Sequence, residues 1–224
     1  GIPSIASGNW NNPATWQGGN IPDSNENAVI RPGHTVTMND AFYSTRNAGT
    51  TTTVDATGVL QTPMTIANNG TTTINGTFRL QAGGWVTGNN LQYGAASTLN
   101  FAHANSSPFV LAGTQRVWPV LNPPFNVALN TNSPVQLDST VGAVNGTLTL
   151  NAGLNVTVAN ALTVNGTLQI NNNGFINTNA PIYGAAATLV YNSSGTFGRG
   201  FEWIALGIGT IGVTPGYPNN VTLQ

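Results

Sequence analysis

Apolar residues fall on alternate positions through much of this chain, in short runs such as Asn155-Val156-Thr157-Val158 and Leu162-Thr163-Val164, with Thr or Asn between them. A period of two is the pattern of a strand with one buried face. The runs are broken by Asn-Gly, Asn-Ala-Gly and Asn-Asn-Asn-Gly, which are expected to supply the positive φ angles of tight corners. The corner segments Asn145-Gly146-Thr147-Leu148-Thr149-Leu150 and Asn165-Gly166-Thr167-Leu168-Gln169-Ile170 stand roughly twenty residues apart, and Gly58 precedes Gly76 by a similar step.

A longer repeat contains the short one. The stretch from Thr73 to Phe101 reads against Thr163 to Tyr191 without a gap, pairing Gly76 with Gly166, Trp85 with Phe175, Tyr93 with Tyr183 and Phe101 with Tyr191. Outside it, Thr65-Ile66-Ala67-Asn68 is matched to Thr157-Val158-Ala159-Asn160, and Val117-Trp118 to Glu202-Trp203. Short strands, regular corners and a constant coil length predict an all-β fold, a parallel β-helix of about twenty-residue coils. At that period the chain would hold about eleven coils, but the period is not kept throughout. Residues 1–39 carry Trp10, Trp16, four prolines and little alternation, and are expected to form an N-terminal cap running into the first strands. Residues 40–224 are the expected solenoid, with two copies of a unit of roughly ninety residues.

Composition narrows the setting. Charged residues are 5% of the chain, against a usual share of about 25%, and lysine is absent. Asn and Thr fill the polar faces, as suits side chains that stack in register without repulsion. The five arginines, Arg31, Arg46, Arg79, Arg116 and Arg199, are scattered, which argues against nucleic acid as a partner. No hydrophobic run reaches the roughly twenty residues of a membrane span. There are no cysteines, hence no disulfide framework and no thiolate metal site. A chain opening on Gly1 reads as a processed or excised product.

Candidate chemistry is sparse. His34 and His103 are far apart and read as structural. The acids Asp23, Glu26, Asp40, Asp55, Asp138 and Glu202 form no cluster of the kind that glycan hydrolysis requires. Asp23-Ser24-Asn25-Glu26 could lend oxygens to Ca²⁺, with a solvated turn as the plainer reading and no cofactor otherwise expected. Sequons at Asn69, Asn75, Asn105, Asn145, Asn155, Asn165, Asn192 and Asn220 read mostly as turn chemistry.

Ser7-Gly8-Asn9-Trp10, Pro13-Ala14-Thr15-Trp16, Gly18-Gly19, Ile21-Pro22, Asn27-Ala28-Val29-Ile30 and Gly33-His34-Thr35-Val36-Thr37 resemble the opening module of large secreted surface proteins of Bacteroidota. The segments from Tyr183 to Tyr191 and from Arg199 to Trp203 resemble repeats of the same proteins. The resemblance implies export, commonly by the type IX route, display as adhesin-like or structural material, and no catalytic residues. The C-terminal sorting domain usual in such proteins is not found in this sequence.

The leading expectation is therefore a non-enzymatic extracellular structural or adhesive surface protein, self-associating head to tail into fibres. Its contacts would use Val221, Thr222, Leu223 and Gln224 against the region of Trp10 and Trp16, because no C-terminal cap is written and Pro218 to Gln224 resembles the internal segment Pro124 to Asn130. The alternatives are a carbohydrate-binding adhesin module recognising surface glycans, an ice-binding solenoid and a polysaccharide-active enzyme. Ice binding is suggested by the triplets Thr35–Thr37, Thr51–Thr53, Thr71–Thr73 and Thr147–Thr149, but their uneven spacing leads us to expect no such activity.

Overall fold

The computed structural model describes residues 1–104, 107–113, 116–195, 198–204 and 209–224; the sequon residue Asn105 lies outside them. The fold is a β-solenoid of about eight turns spaced about 21 residues, not eleven, because residues between turns are spent on loops. Every pair of named strands described is parallel, and the helical content among the described residues is two short 3₁₀ segments, Pro13–Thr15 and Gln17–Gly19. No helix among them is long and apolar enough to cross a membrane.

Two compact units divide the chain, one formed by Gly1–Ala102 with Arg116–Pro124 and the other by His103–Gln115 with Phe125–Gln224. In the first unit, one stack contains Ala28–Ile30, Thr51–Val54, Thr71–Ile74 and Gln92–Tyr93, and a second Thr35–Thr37, Val59–Thr62, Thr77–Leu80 and Thr98–Phe101. A third contains Thr45–Arg46, Thr65–Asn68 and Trp85–Gly88. In the second unit the main stack is Asn126–Leu129, Thr147–Leu150, Thr167–Asn171, Thr188–Asn192 and Asn220–Leu223. Beside it lie Phe109–Leu111, Val135–Leu137, Gly153–Val156 and Phe175–Thr178, with the short pair Thr163–Val164 and Ile182–Tyr183.

Parallel, in-register stacking puts like residues over like. Val36, Leu60, Phe78 and Leu99 form one inward column, and Val127, Leu148, Leu168 and Leu189 another; all are buried. Burying each such side chain is worth about 1.5–3 kcal/mol, so alternation alone supplies most of the driving force. Strand Gly153–Val156 ends before Thr157, and Val158, expected to extend it, is exposed. Thr157 to Asn160 is consequently not the counterpart of Thr65–Asn68. Trp85 pairs with Thr65 and Phe175 with Gly153, so that counterpart is Gly153–Val156.

The corners show the duplication most directly. Asn75 and Gly76 N–H groups both donate to Val54 O, at 2.8 and 3.3 Å, while Asn165 and Gly166 donate to Val144 O at the same two distances. The expected reason for these glycines was wrong, since neither has positive φ. A Cβ on Gly76 would lie 2.2 Å from Gly58 O, and one on Gly166 2.0 Å from Gly146 O. The corner needs glycine because the coil beneath approaches its backbone. Positive φ occurs instead at Gly83 (85°) and its repeat partner Asn173 (69°), and at Gly88 (79°) and its partner Thr178 (78°).

A β-branched residue in that conformation is a genuine outlier, and a left-handed residue costs roughly 1–2 kcal/mol. Thr178→Gly should therefore stabilise the protein by about 1 kcal/mol, allowing for glycine's larger unfolded-state entropy. Urea denaturation reads this as a higher midpoint, and an unchanged or lower midpoint would mean that Thr178 carries no strain.

The N-terminal segment joins the stacks through Ile2–Pro3 and Gly8–Asn9. Trp10 and Trp16 meet edge to face at 4.8 Å, Trp10 Nε1 donating to Pro22 O and Trp16 Nε1 to Trp10 O. Gly8 is required here: its Cβ would lie 2.5 Å from the Thr15 hydroxyl, which donates to Asn9 O. His34 Nδ1 shares a hydrogen bond with Ser4 Oγ at 2.8 Å, and the same oxygen accepts from Arg31 N–H, which makes His34 a clip between the first strand and its neighbouring turn.

Candidate functional site

The carboxylates are dispersed and separately engaged. Asp40 accepts from Asn11 Nδ2 and Phe42 N–H, and Asp138 from Gln136 Nε2 and the Thr157 hydroxyl. No group of three or more His, Cys, Asp or Glu gathers as metal ligands among the described residues. Asp23 Oδ1 accepts from Asn25 N–H and Glu26 Oε2 from Asp23 N–H, which closes the turn on itself. Arg46 is 2% exposed; its guanidinium donates to the carbonyls of Asp23 and Glu26 and lies 5.3 Å from the Trp10 ring. A side-chain cation thus serves main-chain oxygens of the turn that could lend oxygens to Ca²⁺, and Arg46 is not recognisable in the sequence, because its acceptors are backbone atoms of another coil. Burial lowers the Arg46 pKa, and the Asp23 and Glu26 charges oppose that shift.

Glu202 is the one acid in the core, 1% exposed. Its Oε1 accepts from Gly200 N–H at 2.6 Å and from the Tyr191 hydroxyl at 3.0 Å; Oε2 accepts from Ile176 N–H at 3.2 Å. The Tyr183 hydroxyl donates to Glu202 O at 2.7 Å, as Tyr93 does to Val117 O at 2.6 Å in the other copy, so the match of Val117 to Glu202 holds in structure. Burial first, and then the Glu202 charge, push the Tyr183 and Tyr191 phenols up, which keeps both as donors. This carboxylate joins the loop at Gly200 to the stacked strands at Ile176 and Tyr191.

His103 is 1% exposed with its ring 5.0 Å from that of Phe109; burial lowers its pKa, against a hydrogen bond to the Pro134 backbone that raises it. It is separated in the sequence from His34, and the structure gives the two different structural duties.

The outward surfaces carry amide and hydroxyl ladders. Asn151 donates to Asn130 at 2.8 Å, Asn171 to Asn151 at 2.7 Å and Asn192 to Asn171 at 3.1 Å. A second ladder joins Asn165 to Asn145 at 2.8 Å. Thr51 and Thr53 stand in register with Thr71 and Thr73, and Thr52 and Thr72 point inward. That Thr patch stops after two rungs, with Val29 beside Thr53 on one side and Gln92 beside Thr73 on the other. Thr147 and Thr149 belong to a different stack in the other unit, so the triplets Thr71–Thr73 and Thr147–Thr149 do not share one face.

Of the aromatic pairs, Tyr93, Tyr183, Phe101 and Tyr191 are buried, whereas Trp85 is half-buried and Phe175 is 44% exposed. The last matched pair therefore does not belong to the core. Trp10 and Trp16, expected at a docking face, are fully buried and present no side-chain surface to a partner. Val221 and Leu223, at the register of buried Leu189 and Tyr191, are 36% and 71% exposed, and Thr222 and Gln224 are exposed beside them. Comparison with protein-family models, curated proteins and solved structures finds no match to this chain.

Proposed function

We propose that this chain is a non-enzymatic structural and adhesive module, exported and displayed outside the cell. The observation that supports it is the use of its polar groups: amide ladders, closed turns and a buried Glu202 lock coils to one another, and Asp40 and Asp138 are each engaged by their own neighbours. The resemblance of its Trp10 and Trp16 region to secreted surface proteins supplies the extracellular setting. Incubation with neutral and acidic polysaccharides should release no reducing ends and form no unsaturated products. Turnover lost on Asp138→Asn or Glu202→Gln, in variants that still melt cooperatively, would overturn the reading.

A sharper form adds head-to-tail self-association. Strand Asn220–Leu223 pairs with Thr188–Asn192 and leaves Val221 and Leu223 exposed, where a further parallel rung would cover them. In this form the rung comes from the N-terminal strands of a second copy and docks by backbone pairing, since Trp10 and Trp16 are committed to the core. Sedimentation velocity should show mass rising with concentration, abolished by Val221→Asp with Leu223→Asp. A concentration-independent monomer would remove the self-association and leave the scaffold reading standing.

A further inference from the structure

The exposed ring of Phe175 has a built environment. It lies in register beside Gly153, and a Cβ on that glycine would stand 2.5 Å from ring Cζ and 2.9 and 3.0 Å from the two Cε atoms. The missing side chain is what lets the ring rest against the backbone of the neighbouring coil. In the other copy Trp85 faces Thr65 at this register, so the arrangement belongs to the second unit. An open groove of about 420 Å³ runs beside the ring, bounded by Asn132, Pro134, Asn151, Gly153 and Asn173. Asn173 is shared with an adjoining groove of about 370 Å³ lined by Asn172, Ser193 and Ser194. Both lie within the range of small-ligand sites, and neither is lined by a charged side chain.

The chemistry of this lining selects its ligand. An aromatic face packs against an apolar face of the ligand, and amides have both donors and acceptors to offer its hydroxyls. Asn151 uses one N–H and one acceptor site within the ladder, which leaves it a further N–H and lone pair, whereas Asn171 Oδ1 already accepts from both Gln169 and Asn192. Asn173 is exposed, held at the corner by its positive φ, and Asn132 is exposed across the groove. Without cationic groups the groove does not suit polyphosphate or acidic polymers. Phe175–Thr178 is the last strand of its sheet, but the Ile176 N–H donates to Glu202 Oε2 and the Ile176 carbonyl accepts from Phe201 N–H, so the backbone that would capture an extended peptide is already engaged there.

We infer that this corner of the second unit binds a neutral polysaccharide, with Phe175 as the stacking platform and Asn132, Asn151 and Asn173 as hydroxyl partners. The inference rests on the adhesive part of the function proposed above and gives it a ligand class and a site. Affinity electrophoresis and titration calorimetry with laminarin, xyloglucan, galactomannan and chitohexaose as neutral probes, and alginate as the charged control, test it. At least one neutral probe should bind and alginate should not. Phe175→Ala should weaken that binding about tenfold, and Phe175→Trp should retain it. Gly153→Ala, which displaces the ring without removing it, should weaken binding in the same direction, and Trp85→Ala should leave it unchanged. Circular dichroism and melting confirm that each variant folds; should Phe175→Ala not fold, Asn173→Ala and Phe175→Trp decide. Failure of every neutral probe to bind, equal binding by the wild type and the Phe175 or Asn173 alanine variants, or equal retention of alginate overturns the inference. None of these outcomes touches the scaffold reading, which falls on turnover instead.

Discussion

Gly166→Ala is expected to destabilise the protein by about 3 kcal/mol or more, the upper range of overpacking effects, because the new Cβ meets backbone rather than a movable side chain. Its nearest neighbours would be Gly146 O at 2.0 Å and Asn145 O at 2.6 Å, both held by the corner below. Gly76→Ala should behave alike, with Gly58 O at 2.2 Å and Asp55 O at 2.4 Å. Gly33→Ala is the control, since φ there is 77° but nothing lies within 4 Å of the added carbon; it should cost only about 1 kcal/mol of left-handed strain. Urea denaturation of the three variants separates the two roles of glycine. Equal losses at positions 33 and 166 would show that conformation, rather than close approach, selects glycine at the repeated corners.

Glu202→Val is expected to have a comparable effect. It removes the acceptor that Glu202 gives to the N–H groups of half-buried Gly200 and buried Ile176 and to the Tyr191 hydroxyl, and losing the partner of a buried polar group costs about 1–3 kcal/mol. The first copy offers the natural compensation: it has Phe101 and Val117 where the second has Tyr191 and Glu202. Adding Tyr191→Phe to Glu202→Val removes the hydroxyl that loses this acceptor and should recover about 1 kcal/mol, as a double-mutant cycle would measure. Tyr191→Phe alone should also destabilise, since it strips the carboxylate of a buried donor. Strict additivity of the two substitutions would show that the hydroxyl and the carboxylate are not energetically coupled.

Both expectations come from sites that the sequence marks without explaining. Asn-Gly-Thr recurs visibly, yet its glycines were assigned to positive φ when what excludes a side chain is the carbonyl of the preceding coil. The likeness of Thr65-Ile66-Ala67-Asn68 to Thr157-Val158-Ala159-Asn160 was a false lead, because strand pairing sets equivalence and only Gly153–Val156 lies under Phe175–Thr178. A segment with little alternation gives no sign that Trp10 and Trp16 are fully buried. Indole N–H groups donating to nearby carbonyls let that segment fold over them.

By itself the sequence determined the solenoid, its coil length and the duplication, because period-two burial and residue identity at corners are local properties repeated many times along the chain. It also determined the nearly uncharged surface, which composition alone fixes. Tertiary structure decided what the individual polar and aromatic groups do. Arg46 finds the carbonyls of Asp23 and Glu26, Tyr191 finds Glu202, and Phe175 finds the bare backbone of Gly153. Each of these contacts joins residues a coil or a loop apart, and each depends on a stacking register that alternation permits but does not specify. The groove at Phe175 follows from that register, since a shift of one residue would turn the ring toward the opposite face of the strand.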